Sequence, residues 1–65
     1  MKIMINGENH NVDHQTLAEL LNLLGHESTA VATAINGVFV PIADRESSFL
    51  QEQDTVEIIA PMAGG

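Results

Sequence analysis

Few residues of this chain offer chemistry of their own, and the most unusual stand at its end, where "APMAGG" closes on Gly64 and Gly65. Two glycines strip every Cβ from the tip, so the backbone passes a constriction and the last carbonyl is open to approach from either side. The functional group left there is the α-carboxylate of Gly65. A carboxylate is a poor electrophile. Its use as a reacting group calls for activation by ATP to an acyl adenylate, followed by attack of a sulfur or nitrogen nucleophile. The chain has no G-x-x-x-x-G-K-[ST] loop to cradle a nucleotide phosphate, and Lys2 is its single lysine. It is therefore expected to be the substrate of an enzyme rather than an enzyme itself.

Other groups lead nowhere comparable. With no cysteine, the chain builds no disulfide, thiolate metal site or thiol nucleophile, and any sulfur has to come from outside. His10 and His14 fall on different elements and His26 lies beyond the predicted helix, so no pair recurs at a helical metal-binding spacing and surface positions are expected for all three. Carboxylates are plentiful, but general acid/base work needs a pocket that shifts their pKa values, and Glu8, Asp13, Glu19 and Glu27 read as solvated. Nine acidic residues against Lys2 and Arg45 give a net charge of -7. Nucleic acid would be repelled; a basic protein partner fits, as does a charge that serves solubility alone.

The elements that must carry the terminus are readable. A chain of 65 residues is one domain with a small core, without room for a deep cleft. In "KIMIN", Ile3 and Ile5 share one face of a first strand; Asn6 and Gly7 form a tight turn into a second strand near Asn9 to Val12. "TLAELLNLLG" places Leu17, Leu20, Leu21 and Leu24 on one stripe and predicts a helix from Leu17 to Leu24. Thr16 and Glu19 have the form of a capping box at its start, and Gly25 that of a left-handed C′ residue at its end. Asn36-Gly37 in "VATAINGVFVP" joins two more strands, and Pro41 stops the second. "IADRESSFLQEQ" reads as irregular or a single helical turn, with Phe49 and Leu50 tucked inward. In "DTVEIIA", Val56 and Ile58 face one way and Glu57 and Ile59 the other. One helix on one face of one sheet makes an α+β roll, residues 1–60, followed by a flexible tail, residues 61–65. The opposite sheet face has nothing of this chain to cover it and invites a partner.

These segments, in this order and at this length, resemble the β-grasp, ubiquitin-like fold, a roll with a mixed four- to five-stranded sheet and one main helix packed on one face. More narrowly, the chain is similar almost end to end to the thiamine-biosynthesis sulfur carrier family. The pieces that carry the likeness are "AINGVFVP", from Ala34 to Pro41, and a strand running into a terminal Gly-Gly. The resemblance implies that an E1-like adenylyltransferase activates the Gly65 carboxylate with ATP and magnesium, cofactors of that partner and not of this chain. It further implies that sulfur arrives as a persulfide from a donor such as a cysteine desulfurase or persulfide carrier. On the same resemblance, Gly65 is expected to become a thiocarboxylate, from which thiazole synthase takes the sulfur into the thiazole ring. Gly64, Ala63 and Met62 form the tail that enters partner sites. Family members often carry a basic residue after the Val-Pro pair. Here Ile42 stands there, and Arg45 is a candidate to take over the contact.

The same alignment sets Val56 and Ile58 against the helix and Ile59 on the open face near Ala34. Ala34, Ile59 and Met62 are expected to form the apolar part of the partner surface, ringed by acids such as Glu57. Two other readings share much of this pattern. The small subunit of molybdopterin synthase is also a β-grasp carrier ending in Gly-Gly, though usually longer by an insertion. A non-carrier β-grasp interaction or RNA-binding module is the alternative from another class, opposed by the charge and by a short chain read as complete. With no membrane-length apolar run and no signal-peptide core, the cytoplasm is the expected location.

Overall fold

The computed structural model describes residues 1–60. Strands β1 (Lys2–Ile5) and β2 (Glu8–Asn11) come first, then helix α1 (Leu17–Leu23), strands β3 (Ala32–Ile35) and β4 (Val38–Val40), and finally β5 (Thr55–Ile59). Two 3-10 turns, Ser28–Ala30 and Ile42–Ser47, fill the links on either side of the β3–β4 hairpin. All five strands join one sheet in the order β2-β1-β5-β3-β4. Its single parallel pairing, β1 with β5, lies inside the sheet, and β5 runs antiparallel to β3. This is the mixed sheet with one main helix that the sequence leads one to expect.

Local chemistry explains the elements. Both hairpins turn on Asn-Gly, with φ of 48° and 85° at Asn6 and Gly7 and of 52° and 82° at Asn36 and Gly37. Paired positive φ values match the right-handed strand twist, and these two residue types tolerate them best. At the helix start, Thr16 Oγ1 accepts from the Glu19 N–H at 3.1 Å while the Glu19 carboxylate accepts from the Thr16 N–H at 2.9 Å. The reciprocal pair satisfies two otherwise orphaned donors. At the other end, His26 N–H donates to Leu21 O and Gly25 N–H to Asn22 O, with Gly25 at φ +81°. That is a Schellman closure, and it stops the helix where the glycine stands.

Helix and sheet meet over Ile3, Ile5, Leu17, Leu20, Leu21, Val31, Val40, Leu50, Val56 and Ile58, all buried. Each fully buried aliphatic side chain contributes roughly 1.5–3 kcal/mol, so this cluster is the main support of the described body. Two expected members are missing. Leu24, the C-cap residue, is 41% exposed although its N–H still donates to Leu20 O at 3.0 Å. Phe49 is exposed as well. It bridges Thr16 in a short antiparallel contact that turns Leu50 into the core and leaves Phe49 pointing out.

Arg45 is the larger surprise. Expected as a surface contact, it is 2% exposed. Its Nε donates to Thr33 Oγ1 at 3.1 Å, its Nη2 to Val31 O at 2.6 Å and its Nη1 to Ser28 O. Thr33 Oγ1 donates in turn to Val40 O at 3.0 Å. The guanidinium thus ties the second 3-10 turn to the start of β3, with one donor from each of its three nitrogens given to a carbonyl or a hydroxyl of this chain.

Candidate functional site

Alternation along the strands builds the open face. On β5, Val56 and Ile58 point to the helix, which turns Thr55, Glu57 and Ile59 to the other side. On β3, Thr33 is buried and Ala32 and Ala34 alternate with it. On β4, Val40 enters the core and Phe39 faces away; on β1, Ile3 and Ile5 enter and Met4 faces away. No helix covers this side among the described residues.

Register sets the neighbours. Ala34 stands opposite Phe39 on one side and Glu57 on the other, so Phe39, Ala34 and Glu57 form one row across three strands. In the next row Ala32 stands opposite Ile59. Directly opposed residues have Cβ atoms about 4.5–5.5 Å apart, close enough for one partner side chain to touch a whole row. The two alanines of β3 thus stand between Phe39 on β4 and Ile59 on β5, two larger apolar side chains. Phe39 is 65% and Ile59 60% exposed, and on β1 Met4 adds a third exposed apolar group.

Three of the site residues read from the sequence are therefore brought together: Ala34, Glu57 and Ile59. Their arrangement differs in detail. Ile59 pairs with Ala32 and lies diagonal to Ala34, and Glu57 sits within the apolar rows and not on a surrounding acidic rim. Met62, Ala63, Gly64 and Gly65 lie outside the described residues. Ile42, which follows the Val40-Pro41 pair, is exposed beyond the end of β4.

Sequence reasoning missed Phe39, although the signal was present. A two-residue Asn36-Gly37 turn fixes Ile35 opposite Val38, and the next pair is then Ala34 with Phe39. The same alternation marks Met4 and Ala32 as outward. What this face offers is contact: apolar groups around one carboxylate, at the end of the strand from which the chain runs on toward residue 65.

Comparison with known proteins gives the fold a family. The model of the ThiS family matches residues 3–65. Two relatives, each described as uncharacterized protein ycf40, come from Porphyra purpurea and Pyropia yezoensis; they are 38% and 36% identical, with all of this chain and 93% of theirs aligned. Among solved structures, the crystal structure of a thiamine biosynthesis protein (ThiS) from Geobacter metallireducens superposes with a TM-score of 0.85 at 26% identity, covering 100% of both chains. The solution structure of a thiamine biosynthesis protein from the same organism gives 0.84 at 26% identity, over 100% of this chain and 88% of that one.

Proposed function

This chain belongs to the ThiS family, and from that membership we propose that it is a sulfur carrier of thiamine biosynthesis, with Gly65 as the residue that carries the sulfur. The observation behind the reading is a family match that runs through Gly64 and Gly65 and not through the folded part alone. An E1-like adenylyltransferase binds the chain by its open face and admits residues 61–65. The Gly65 carboxylate attacks the α-phosphorus of ATP and pyrophosphate leaves. The outer sulfur of a donor persulfide then attacks the acyl carbon and expels AMP. Cleavage of the resulting S–S bond by a second thiol leaves a thiocarboxylate, the form that thiazole synthase consumes.

The parts of the chain divide the work. Residues 1–60 are the recognised body and residues 61–65 the tail, which fully extended reaches at most about 17 Å. Gly64 and Gly65 suit a narrow channel because they present no side chain. Ala34, Glu57, Ile59 and Met62 form the docking surface together with Phe39. The adenylating chemistry, with its ATP and magnesium, belongs to the partner, and this chain acts as protein substrate in the cytoplasm.

Intact mass tests the reading. Incubation with ATP, the adenylating enzyme and a persulfide donor replaces one oxygen of the Gly65 carboxylate by sulfur. A variant with one residue fused after Gly65 folds as before and is not adenylated, since its glycine carbonyl is then an amide. Equal adenylation of the fused chain overturns the assignment to Gly65.

A further inference from the structure

Both hairpin turns carry asparagine where the left-handed backbone would accept glycine as well, and both asparagine side chains reach the same strand, β5. On the β1 side, Met4 N–H donates to Asp54 O and Asn6 N–H to Val56 O, each at 2.9 Å. The next step of a parallel ladder needs an acceptor for Ile58 N–H and a donor for Ile58 O. The backbone has turned away by then, at φ 48°. The Asn6 carboxamide supplies both: Oδ1 accepts from Ile58 N–H at 2.8 Å and Nδ2 donates to Ile58 O at 3.1 Å.

Asn36 does the equivalent at the opposite end of β5. Its N–H donates to Thr55 O at 2.7 Å, its Oδ1 accepts from Thr55 N–H at 2.9 Å, and its Nδ2 donates to Asp54 Oδ1 at 2.9 Å. A side-chain amide stands in for a missing peptide at each end of the strand. The two clamps differ in place. Asn36 holds the beginning of β5, whereas Asn6 holds Ile58, the last step on the β1 side before the chain leaves the sheet.

We propose that Asn6 is a positioning residue for the carrier reaction: by pairing both backbone groups of Ile58, it fixes the direction from which the chain approaches Gly65. The proposal rests on the function given above. Without the clamp the end of β5 is held from the β3 side alone, by the antiparallel pairing that ends at Ala32–Ile59. The terminal carboxylate then samples more orientations in the partner's site. The docking face, made by Phe39, Ala34 and Ile59, is unchanged.

Asn6→Gly and Asn36→Gly separate this from a general structural role, because glycine accepts both left-handed backbones and each variant loses one clamp. Amide hydrogen exchange is expected to accelerate at Ile58 in the first and at Thr55 in the second. With the adenylating enzyme and ATP, Asn6→Gly is expected to lower kcat for pyrophosphate release about tenfold with KM within about twofold, since misplacement of a reacting group costs the chemical step. Asn36→Gly is expected to leave kcat within about twofold, and Asn6→Asp, which keeps the acceptor but repels Ile58 O, to fall between. Equal kcat values for the two glycine variants overturn the positioning role. Failure of the unaltered chain to release pyrophosphate overturns the carrier function, and this proposal with it.

Discussion

Neighbouring residues of β5 meet two different environments. Val56 and Ile58 are buried under the helix, whereas Glu57 and Ile59, one peptide away, face solvent. The contrast extends across the sheet. On the covered side, core residues from β1, α1, β4 and β5 interlock and even a guanidinium is enclosed. On the open side Met4, Phe39 and Ile59 expose apolar area that nothing within the described residues uses. With docking on the open face, as proposed above, stability and recognition are separable in this molecule. The covered face makes the body, and the open face is free to answer to a partner.

The largest effect that would sharpen this contrast is on the covered side. Arg45→Ala leaves Val31 O and the Thr33 hydroxyl without their donor in a buried site, at about 1–3 kcal/mol for each, while Ser28 O, at the part-buried edge, is open to water. A loss of about 4 kcal/mol, read from the urea midpoint, is a large share of the stability of so small a domain. A variant that unfolds at the same urea concentration as the unaltered chain would show that the guanidinium is a passenger.

Next comes the open side, where the expected signature is the reverse. Phe39→Ser removes an exposed ring paired across the strands with Ala34, for which the cost in stability is below about 1 kcal/mol. In the adenylation assay kcat/KM is expected to fall about tenfold, the loss of one aromatic anchor at a contact centre. The change should appear in KM, in contrast to the kcat effect of Asn6→Gly. An unchanged KM would move the docking surface off this face.

What the sequence disclosed and what it hid follow the same division. Features set by a few adjacent residues were legible: the two Asn-Gly turns, the Thr16–Glu19 box, Gly25 at the helix end, and the alternation that buries Val56 and Ile58. Features set by groups distant along the chain were not. Arg45 takes its acceptors from Ser28, Val31 and Thr33, and no local pattern around "ADRES" announces them. Asn6 was legible as a turn residue but not as the partner of Ile58, which lies 52 positions away. Phe39 is intermediate. Its pairing with Ala34 follows from the turn, yet its place in one row with Glu57 depends on the β3–β5 register, which residues far apart along the chain set.

Phe49 gives the smallest expected effect and the most discriminating control, because it is as exposed as Phe39 but lies elsewhere. Its neighbours are held by backbone bonds, Leu17 N–H to Ser48 O at 2.8 Å and Leu50 N–H to Gln15 O at 2.9 Å, so the segment keeps its course whatever side chain stands between them. Phe49→Ser should leave stability within about 0.5 kcal/mol, as for exposed positions generally. It should also leave KM for adenylation unchanged, since Phe49 sits beside the N-cap of α1 and not on the open sheet face. Should Phe49→Ser raise KM as far as Phe39→Ser does, recognition would depend on total exposed apolar area and not on one face. Equal effects would thus break the distinction between the faces even if every variant folded.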